Sequence, residues 1–310
     1  MNCWIVYTLQ MKRSKSSLLL VHKPTGVTSF ASLAPIKRVF GKKVGHGGTL
    51  DKFAEGLMIV LTGTFTKLNA LVSNLDKKYI ATICFGSETS TLDPEGEIVK
   101  EGPIPTLAQI EQVIANEFQG PIQQTPPHYS AIHIDGKRAH ALARSGQDFE
   151  VPSRQVTIYK TEILDWKAPF LTLAVHCSKG TYIRSLARDI ALSCNSRGHV
   201  SALKRTAIGP FYLDSAIDVE SQDALIAHSA TSVERLRQLN HMGSLVVSPS
   251  AAMRLRYGNL PLKDAIIESK VTDKDSYALV FDLQHTLLAI VGLNTEGVPN
   301  KVYSLPCMEM

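Results

Sequence analysis

The stretch Gly45-His46-Gly47-Gly48-Thr49-Leu50-Asp51 constrains this chain more than any other part of its sequence. Glycines at three of its first four positions allow tight turns and a close approach of the backbone to a ligand. The loop ends on Asp51, and an apolar run from Leu57 to Leu61 follows. A carboxylate on such a loop can be a reactive group. Alternatively, Asp51 caps a following helix, since Asp is a favoured N-cap residue. The local pattern leaves both interpretations open.

The composition is that of a globular protein with a slight excess of positive charge. With 310 residues, the chain can form one large domain and a small one, or two medium domains. Its 44% hydrophobic and 20% charged residues are ordinary for a protein that builds a proper core. The net charge of +5 suits an anionic partner such as RNA, although many proteins without such a partner are equally basic.

Cysteines and apolar runs bear on the cellular compartment. The five scattered cysteines include no C-x-x-C pair, which argues against a disulfide framework and against a structural zinc site. We therefore expect a reducing, cytoplasmic location. The N-terminal apolar patch is short and precedes Lys12 and Arg13, the reverse of a signal peptide. No run approaches the roughly 18 apolar residues of a membrane span.

Hydrophobic periodicity predicts both strands and helices. A buried strand from Ser17 to His22 ends at the turn signature Lys23-Pro24-Thr25-Gly26. Ser29 can cap a helix to about Phe40, which Pro35 kinks or delays. Further strands are predicted over 57–61, 79–85, 156–166, 170–177, 200–208, 277–283 and 286–293, and further helices over 64–75, 106–118, 137–145, 181–192 and 251–256.

These elements predict an α+β fold: a mixed, largely antiparallel sheet flanked by helices, with a small β-rich C-terminal domain. The composition loosens from about Asp218 to Gly243, which indicates a domain boundary. The predicted units are a flexible N-terminal extension over 1–16, a main domain over 17–218 and a small domain over 244–310. Met11 is a plausible alternative start.

A second dense stretch, His176-Cys177-Ser178-Lys179-Gly180-Thr181-Tyr182-Ile183-Arg184, joins a strand end to a helix start. A helix N-terminus stabilises an anion through its free N–H groups and its dipole. Arg184 suits a carboxylate elsewhere in the chain, because its planar fork binds carboxylates bidentately. An Arg near Asp51 would also hold that carboxylate ionised. The alternative is an exposed Arg on a helix surface, and the pattern alone does not choose.

Several other chemistries find no support. The glycine loop lacks the G-x-x-x-x-G-K-[ST] pattern of an NTPase phosphate loop. The ten histidines form no H-E-x-x-H or similar ligand set, so no metal site is expected. Ser178 and Cys177 lack a nucleophile elbow, and Cys177 fits a buried strand thiol. The basic residues of 137–144, with Arg154 and those of 37–43, form a solvated surface or contact phosphates.

Six short pieces, in the same order, resemble the TruB family of bacterial tRNA pseudouridine-55 synthases. The resemblance covers roughly residues 17–220 and is looser in the tail, and it implies the pseudouridine-synthase type of sheet. Its pieces are Lys23-Pro24-x-Gly26-x-Thr28-Ser29, Gly45-His46-x-Gly48-x-Leu50-Asp51, Lys78-Tyr79, Gln124-x-Pro126-x-x-Tyr129-Ser130-Ala131, Asp135-Gly136-Lys137 and the stretch over 176–184.

The resemblance implies roles for particular residues. The family's catalytic aspartate falls on Asp51, and the arginine that pairs with it falls on Arg184. The tyrosine that stacks against the flipped uracil falls on Tyr79, and the histidine that reaches into the T loop falls on His46. Two positions that line the uridine pocket fall on Tyr182 and Leu203.

The family's reaction breaks the N-glycosidic bond of uridine, rotates the base and rejoins it through carbon. No redox change or group transfer occurs, so no cofactor is expected. A carboxylate acts as a nucleophile or abstracts a proton at the ribose, and the sequence does not choose between these routes. The expected partner is the T arm of tRNA, with no DNA, no membrane and no required protein partner. The family suggests a monomer.

The chain departs from the family pattern around Asp51. Gly47 stands where Thr or a similar residue is usual, Thr49 where Ala is usual, Lys52 where Pro is usual, Glu55 where a small residue is usual, and His22 where an acid is usual. None of these changes removes a residue assigned to the chemistry, so we expect a divergent but active member. The tail resembles the family's small RNA-binding domain only weakly.

Three alternatives remain. The altered residues around Asp51 motivate a non-catalytic tRNA-binding or folding protein with the same scaffold. A guide-RNA-dependent relative would need partner proteins. A hydrolase that uses Asp51 is the most distant, since no second carboxylate at a defined spacing is visible to share the acid and base roles.

Overall fold

The structure is a computed structural model that describes residues 16–130, 132–134, 137–139, 142, 149–219 and 221–304. Residues 1–15 of the predicted N-terminal extension lie outside these ranges. The strands are β1 (Leu18–Lys23), β2 (Val44–His46), β3 (Glu55–Thr62), β4 (Lys77–Phe85), β5 (Ser87–Thr89), β6 (Ile98–Glu101), β7 (Gly120–Gln124), β8 (His133–Ile134), β9 (Lys137–Arg138), β10 (Arg154–Lys167), β11 (Phe170–Cys177), β12 (Gly198–Ile208), β13 (Phe211–Tyr212), β14 (Ile217–Asp218), β15 (Met242–Val247), β16 (Ile266–Lys270), β17 (Tyr277–Phe281), β18 (Leu287–Leu293) and β19 (Pro299–Ser304).

Most strands belong to one large sheet in the order β14-β1-β3-β12-β4-β11-β10-β7, with β2 also paired to β3 and β13 to β12. Only the β1–β14 and β3–β12 pairs of this sheet are parallel among the described residues. A second sheet has the order β16-β15-β17-β18-β19. The α+β class, the largely antiparallel main sheet and the β-rich C-terminal region are therefore confirmed. The precise domain boundaries stay predictions.

The helices lie mainly between the strands of the main sheet and before the second sheet. They are α1 (Ala34–Phe40), α2 (Asn69–Ser73), α3 (Leu107–Glu117), α4 (Ile183–Ser193), α5 (Gln222–Ser229), α6 (Ser232–Arg237) and α7 (Pro249–Arg256), with 3-10 turns at Ala31–Leu33, Gly63–Leu68, Leu213–Ser215 and Lys263–Ala265. Thr106 caps α3 as predicted, through a capping box with Gln109.

The two faces of the main sheet pack into different cores. On one face, alternate residues of β4 and β11 such as Ala81 and Leu173 pack in one cluster with Ile114 of α3 and Leu186 of α4. On the other face, residues of β1 and β3 cluster with residues of β17 and β18 in the second sheet. Strands β1 and β3 are thus buried on both faces, which is why their sequences are continuous apolar runs rather than alternating ones.

The start of the first helix differs from the prediction. Ser29 does not cap it: the Ser29 hydroxyl accepts a hydrogen bond from the Leu50 N–H and donates one to the Leu50 carbonyl, both at 2.8 Å. The Thr28 hydroxyl instead accepts from the Ala31 N–H at 3.1 Å. Pro35 lies in the first turn of α1, so it delays the helix rather than kinking it.

One further prediction needs correction. Lys137 and Arg138 do not begin a helix but form β9, which pairs with β8. Of the rest of that predicted helix, the structure describes only Ala139 and Leu142, and both are helical. The loosened composition over 218–243 conceals α5 and α6, and Arg235 of α6 donates to the Leu18 carbonyl of β1 at 3.0 Å.

Candidate active site

The glycine-rich loop runs from β2 to β3 and carries Asp51 between them. The Gly47 N–H donates to the Ile59 carbonyl at 3.0 Å, so the loop leaves β2 alongside β3. Gly48 has a φ of +134°, which favours glycine, and Leu50 is held by Ser29 as described above. The next regular element is β3, not a helix. The interpretation of Asp51 as a helix cap is therefore wrong.

Arg184 in the first turn of α4 reaches Asp51 across the fold. Its Nε lies 2.9 Å from Asp51 Oδ2, and its Nη2 donates to Oδ1 at 3.2 Å, so the guanidinium addresses both carboxylate oxygens. The Arg184 side chain is 4% exposed, whereas that of Asp51 is 36% exposed. The interpretation of Arg184 as a surface residue is wrong. The pair leaves a reachable carboxylate oriented by a buried cation.

A second carboxylate, Asp93, binds the same guanidinium and was not singled out from the sequence. Arg184 Nη1 donates to Asp93 Oδ2 at 3.1 Å, and the Asp93 side chain is 7% exposed. The other oxygen of Asp93 accepts from the Thr91 hydroxyl at 2.6 Å and from the Glu95 N–H at 3.0 Å. The sequence indicated only a turn at Asp93-Pro94-Glu95-Gly96. In the structure, the carboxylate of Asp93 points from this turn towards Arg184.

The charges around Asp51 act on its pKa in opposite directions. Burial raises the pKa of Asp51 above its ordinary value of 3.8, the Arg184 charge lowers it, and the Asp93 charge raises it again. The net direction is upward. The expectation that Arg184 holds Asp51 ionised is thus only one part of the balance, because desolvation of the carboxylate and the second carboxylate both favour the protonated form.

Tyr79 and Leu203 lie on adjacent strands near this carboxylate. Tyr79 of β4 is directly opposite Arg205 of β12, and Leu203 is opposite Ala81, so both side chains are on one face of the sheet. Tyr79 is 9% and Leu203 7% exposed, and the charge of Asp51 contributes to the raised pKa of Tyr79. An aromatic ring and an aliphatic side chain thus form an apolar wall close to Asp51.

Tyr182 caps α4 and is held by a buried glutamine. The Tyr182 N–H donates to Gln124 Oε1 at 2.8 Å, and Gln124 Nε2 donates to the Tyr182 carbonyl at 3.1 Å. Gln124 is 1% exposed, and its role was not inferred from the sequence. The guanidinium of Arg154 lies 5.0 Å from the Tyr182 ring centroid. The helix that carries Arg184 is therefore tied to β7 at its N-cap residue.

His46 is the last residue of β2, at the entrance of the loop. Burial lowers the pKa of His46 below 6.5, and the charge of Arg205 lowers it further. Its Nδ1 is buried and has no hydrogen-bond partner among the described residues. A neutral imidazole at this position can offer a hydrogen bond to a ligand without the cost of burying a charge.

Gly47 departs from the family pattern for a visible reason. A Cβ at Gly47 would lie 2.5 Å from Val72 Cγ2 and 3.1 Å from Val72 Cβ, so Val72 of α2 occupies the space that a side chain would need. Three other departures make contacts at the rim: Lys52 forms an ion pair with Glu95 at 3.2 Å, and His22 Nε2 lies 3.6 Å from Glu55 Oε2. The substituted residues are accommodated by their neighbours, and none of these contacts blocks Asp51.

Gly47→Ala should lower the free energy of unfolding by about 1–3 kcal/mol, because the added methyl group overpacks the contact with Val72. Urea denaturation measures this change in the free energy of unfolding. In a Val72→Ala background the same substitution should cost much less. Gly45→Ala is the matched control, since nothing lies within 4 Å of its Cβ position. An equal cost of Gly47→Ala in both backgrounds would contradict the steric explanation.

Other types of site are absent from the part of the chain that the structure describes. No group of three or more His, Cys, Asp or Glu side chains there could hold a metal ion. Cys177 is fully buried in β11, and burial raises the pKa of its thiol to about 12, as expected of an inert strand cysteine. Among the helices of these residues, none is long and apolar enough to cross a membrane.

Comparisons with known proteins identify the relatives of this chain. Residues 37–183 match the model of the TruB family pseudouridylate synthase N-terminal domain. "tRNA pseudouridine synthase B" of Borreliella burgdorferi (strain ZS7) is 46% identical over 227 residues, which are 72% of this chain and 79% of that protein. The protein of the same name from Caldanaerobacter subterraneus is 43% identical over 211 residues, 67% of this chain and 74% of that one.

Among solved structures, a chain of a Cbf5-Nop10-Gar1 complex superposes with a TM-score of 0.68 at 22% identity, covering 96% of this chain and 88% of that chain. At this identity the likeness concerns the fold alone. The relatives that share more than two fifths of their residues decide the family. The chain belongs to the TruB family of pseudouridylate synthases.

Proposed function

We propose that this protein converts the uridine at position 55 in the T loop of tRNA into pseudouridine, with Asp51 as the catalytic carboxylate. The observation that carries the proposal is the contact of Asp51 with Arg184: a partly exposed carboxylate whose two oxygens are fixed by a buried guanidinium. The relatives' printed name, tRNA pseudouridine synthase B, supports tRNA as the substrate.

The reaction needs an ionised carboxylate at a fixed position. The N-glycosidic bond of the target uridine breaks, the uracil turns, and its C5 bonds to C1′ of the ribose while the C5 proton is lost and a proton returns to N1. Asp51 either attacks the ribose or abstracts a proton from it, and both routes use its negative form. Arg184 holds the carboxylate in one orientation, so little reorganisation is needed at the moment of reaction.

The neighbouring residues suit a nucleotide that has left its stack. A flipped base loses the stacking of its neighbours, and an aromatic ring restores part of that energy. We assign the stacking to Tyr79 and the apolar wall of the uridine pocket to Leu203 and Tyr182. His46, at the entrance of the loop, is assigned to contacts with the folded T loop. Recognition of an RNA loop by its shape fits a rigid, glycine-rich backbone.

The remaining parts of the proposal concern partners and location. The protein acts as a monomer in the cytoplasm, without a cofactor and without a required protein partner. Its excess of positive charge supports binding of the phosphate backbone. Asp93 is a second carboxylate near Asp51, but it is buried and bound to Arg184. A carboxylate held in this way is unsuited to activate a water molecule for hydrolysis.

The experiment is pseudouridine mapping on unmodified tRNA incubated with the purified chain alone. We expect one modified nucleotide, at position 55, and none in a matched tRNA that carries cytidine there. Free uracil in the supernatant would indicate a hydrolase. Bound but unmodified tRNA would indicate a non-catalytic binding protein, and activity only after addition of a guide RNA and partner proteins would indicate the guide-dependent class. Each of these three results would overturn the proposal.

The pH dependence gives a separate prediction. Because the pKa of Asp51 is raised above 3.8, kcat/KM should fall on the acid side at a pH above that value. Asp93→Asn removes a negative charge that raises this pKa, so the acid limb should move to lower pH. Glu95→Gln should move it less, because Glu95 makes the smallest of the contributions to Asp51. An acid limb that moves upward in Asp93→Asn would contradict this account.

A further inference from the structure

Arg205 is a fully buried cation in the middle of the main sheet, and no role has been given to it above. It lies on β12 opposite Tyr79 of β4 and beside Gly56 of β3, and it is 1% exposed. Among the described residues, no carboxylate forms a salt bridge with it. A buried charge without an ionic partner is costly unless its donors are fully used.

The guanidinium of Arg205 donates hydrogen bonds to backbone carbonyls in and next to the active-site loop. Its Nε donates to the Leu57 carbonyl at 2.7 Å, its Nη2 to the Gly48 carbonyl at 3.1 Å and its Nη1 to the Thr49 carbonyl at 3.4 Å. The carbonyls of Gly48 and Thr49 belong to the glycine-rich loop, three and two residues before Asp51. One guanidinium thus joins the loop to the strand that follows it.

The same guanidinium acts on Tyr79. Burial raises the pKa of the Tyr79 hydroxyl, while the charge of Arg205 and a hydrogen bond with it lower that pKa. Tyr79 and Arg205 form a directly opposite cross-strand pair, an arrangement in which the side chains of adjacent strands interact. The residue that bonds to the loop therefore also lies directly across from the aromatic residue.

The backbone that carries Arg205 is itself fixed. A Cβ on Gly56 would lie 2.3 Å from the Arg205 carbonyl oxygen and 2.7 Å from its nitrogen, so β3 and β12 approach each other as closely as a glycine permits. Gly56 has a φ of +118°, a conformation that favours glycine. This packing leaves Arg205 little freedom to shift and makes it a rigid reference point.

We propose that Arg205 is a positioning residue for pseudouridine formation: it sets the tilt of the Tyr79 ring through the tyrosine hydroxyl and fixes the loop that carries Asp51. The inference rests on the proposed function. It assigns no contact with substrate to Arg205. Its effect is to hold the stacked base and the carboxylate in one relative geometry, so that the target sugar meets Asp51.

Two substitutions separate this role from general support of the fold. Arg205→Lys keeps the positive charge but replaces the planar fork by a single ammonium, which cannot serve the loop, the strand and Tyr79 with the same geometry. Tyr79→Phe keeps the ring and removes only the hydroxyl. Because both break the same tether, their effects should not be independent.

The test is a double-mutant cycle on single-turnover rates with saturating tRNA, alongside tRNA affinity and thermal unfolding. We expect each single variant to lose about tenfold or more in rate, since misplacement of reacting groups by about 1 Å costs up to about a hundredfold. Affinity for tRNA should stay within about threefold, and the double variant should be no slower than the slower single one. Lys204→Met, on the same strand and half exposed, is the control and should react like the wild type.

Specific outcomes overturn the proposal. Wild-type rates in Arg205→Lys, losses that multiply in the double variant, or a loss confined to tRNA affinity would each do so. If Arg205→Lys does not fold, Tyr79→Phe alone tests the proposal. A wild-type rate for Tyr79→Phe then refutes the proposed link between Arg205 and the tyrosine hydroxyl. An inactive wild-type chain would overturn the proposed function and this inference together. If the wild type is active, any of the outcomes above refutes only the positioning role of Arg205.

Discussion

Asp51→Asn is expected to abolish pseudouridine formation while tRNA binding is retained. The amide has nearly the same shape as the carboxylate, but it is neither a nucleophile nor a base at neutral pH. Arg184 keeps its contacts with Asp93, so the buried guanidinium is not left without a carboxylate. We expect a loss of about 10³-fold or more in the single-turnover rate, since one proton-transferring group supplies about 10²- to 10⁴-fold.

The matched control for Asp51→Asn is Glu95→Gln. Glu95 is another carboxylate near the loop, but it is 44% exposed and pairs with Lys52 at the rim. We expect a rate within about twofold of wild type at neutral pH, because exposed ion pairs contribute little. Pseudouridine formed at a wild-type rate by Asp51→Asn would contradict the assignment of Asp51 and leave the carboxylate function to another residue.

Arg184→Met should produce the largest loss of stability, together with loss of activity. The substitution removes the cation between two carboxylates and leaves the Asp93 side chain, which is 7% exposed, without its ionic partner. Breaking a buried pair on one side costs about 3–5 kcal/mol. Denaturant unfolding at neutral pH measures the difference. Acidification should reduce it, because protonation of the stranded carboxylates removes the uncompensated charge.

Two further variants test this explanation. Arg184→Met combined with Asp93→Asn should recover part of the lost stability, since the stranded charge is removed along with its partner. Lys204→Met is the control, because its ion pair with Glu55 is half exposed and should contribute less than about 1 kcal/mol. Arg184→Met as stable as Lys204→Met would contradict a structural role for the Asp51–Arg184–Asp93 contacts.

The sequence predicted those parts of the fold that depend on local patterns. Apolar runs gave β1 and β3, alternation gave β4 and β11, and the Thr106 signature gave the start of α3. Such patterns are read over a few residues, because a strand or an amphipathic helix must place its own apolar side chains towards a core. Local patterns failed where a polar residue had a distant partner. Ser29 looks like a helix cap, yet it bonds to Leu50.

The candidate site shows the same division. Asp51 and Arg184 stand out in the sequence because each is the last residue of a recognisable motif, over 45–51 and 176–184. Asp93 and Arg205 do not, since a turn aspartate and a charged strand residue are common on any protein surface. What makes them part of the site is burial and contact with residues far along the chain: Asp93 is 91 residues from Arg184, and Arg205 is 157 from Gly48.

The amino-acid sequence by itself therefore determined the family, the order of most elements and the residues that the family pattern carries. Tertiary structure alone decided that two carboxylates share one buried guanidinium and that the pKa of Asp51 is raised. It also decided that a second buried arginine joins the glycine-rich loop to the strand that follows it. The physical reason is that desolvation and the geometry of charged contacts exist only after strands and helices distant in sequence have packed together.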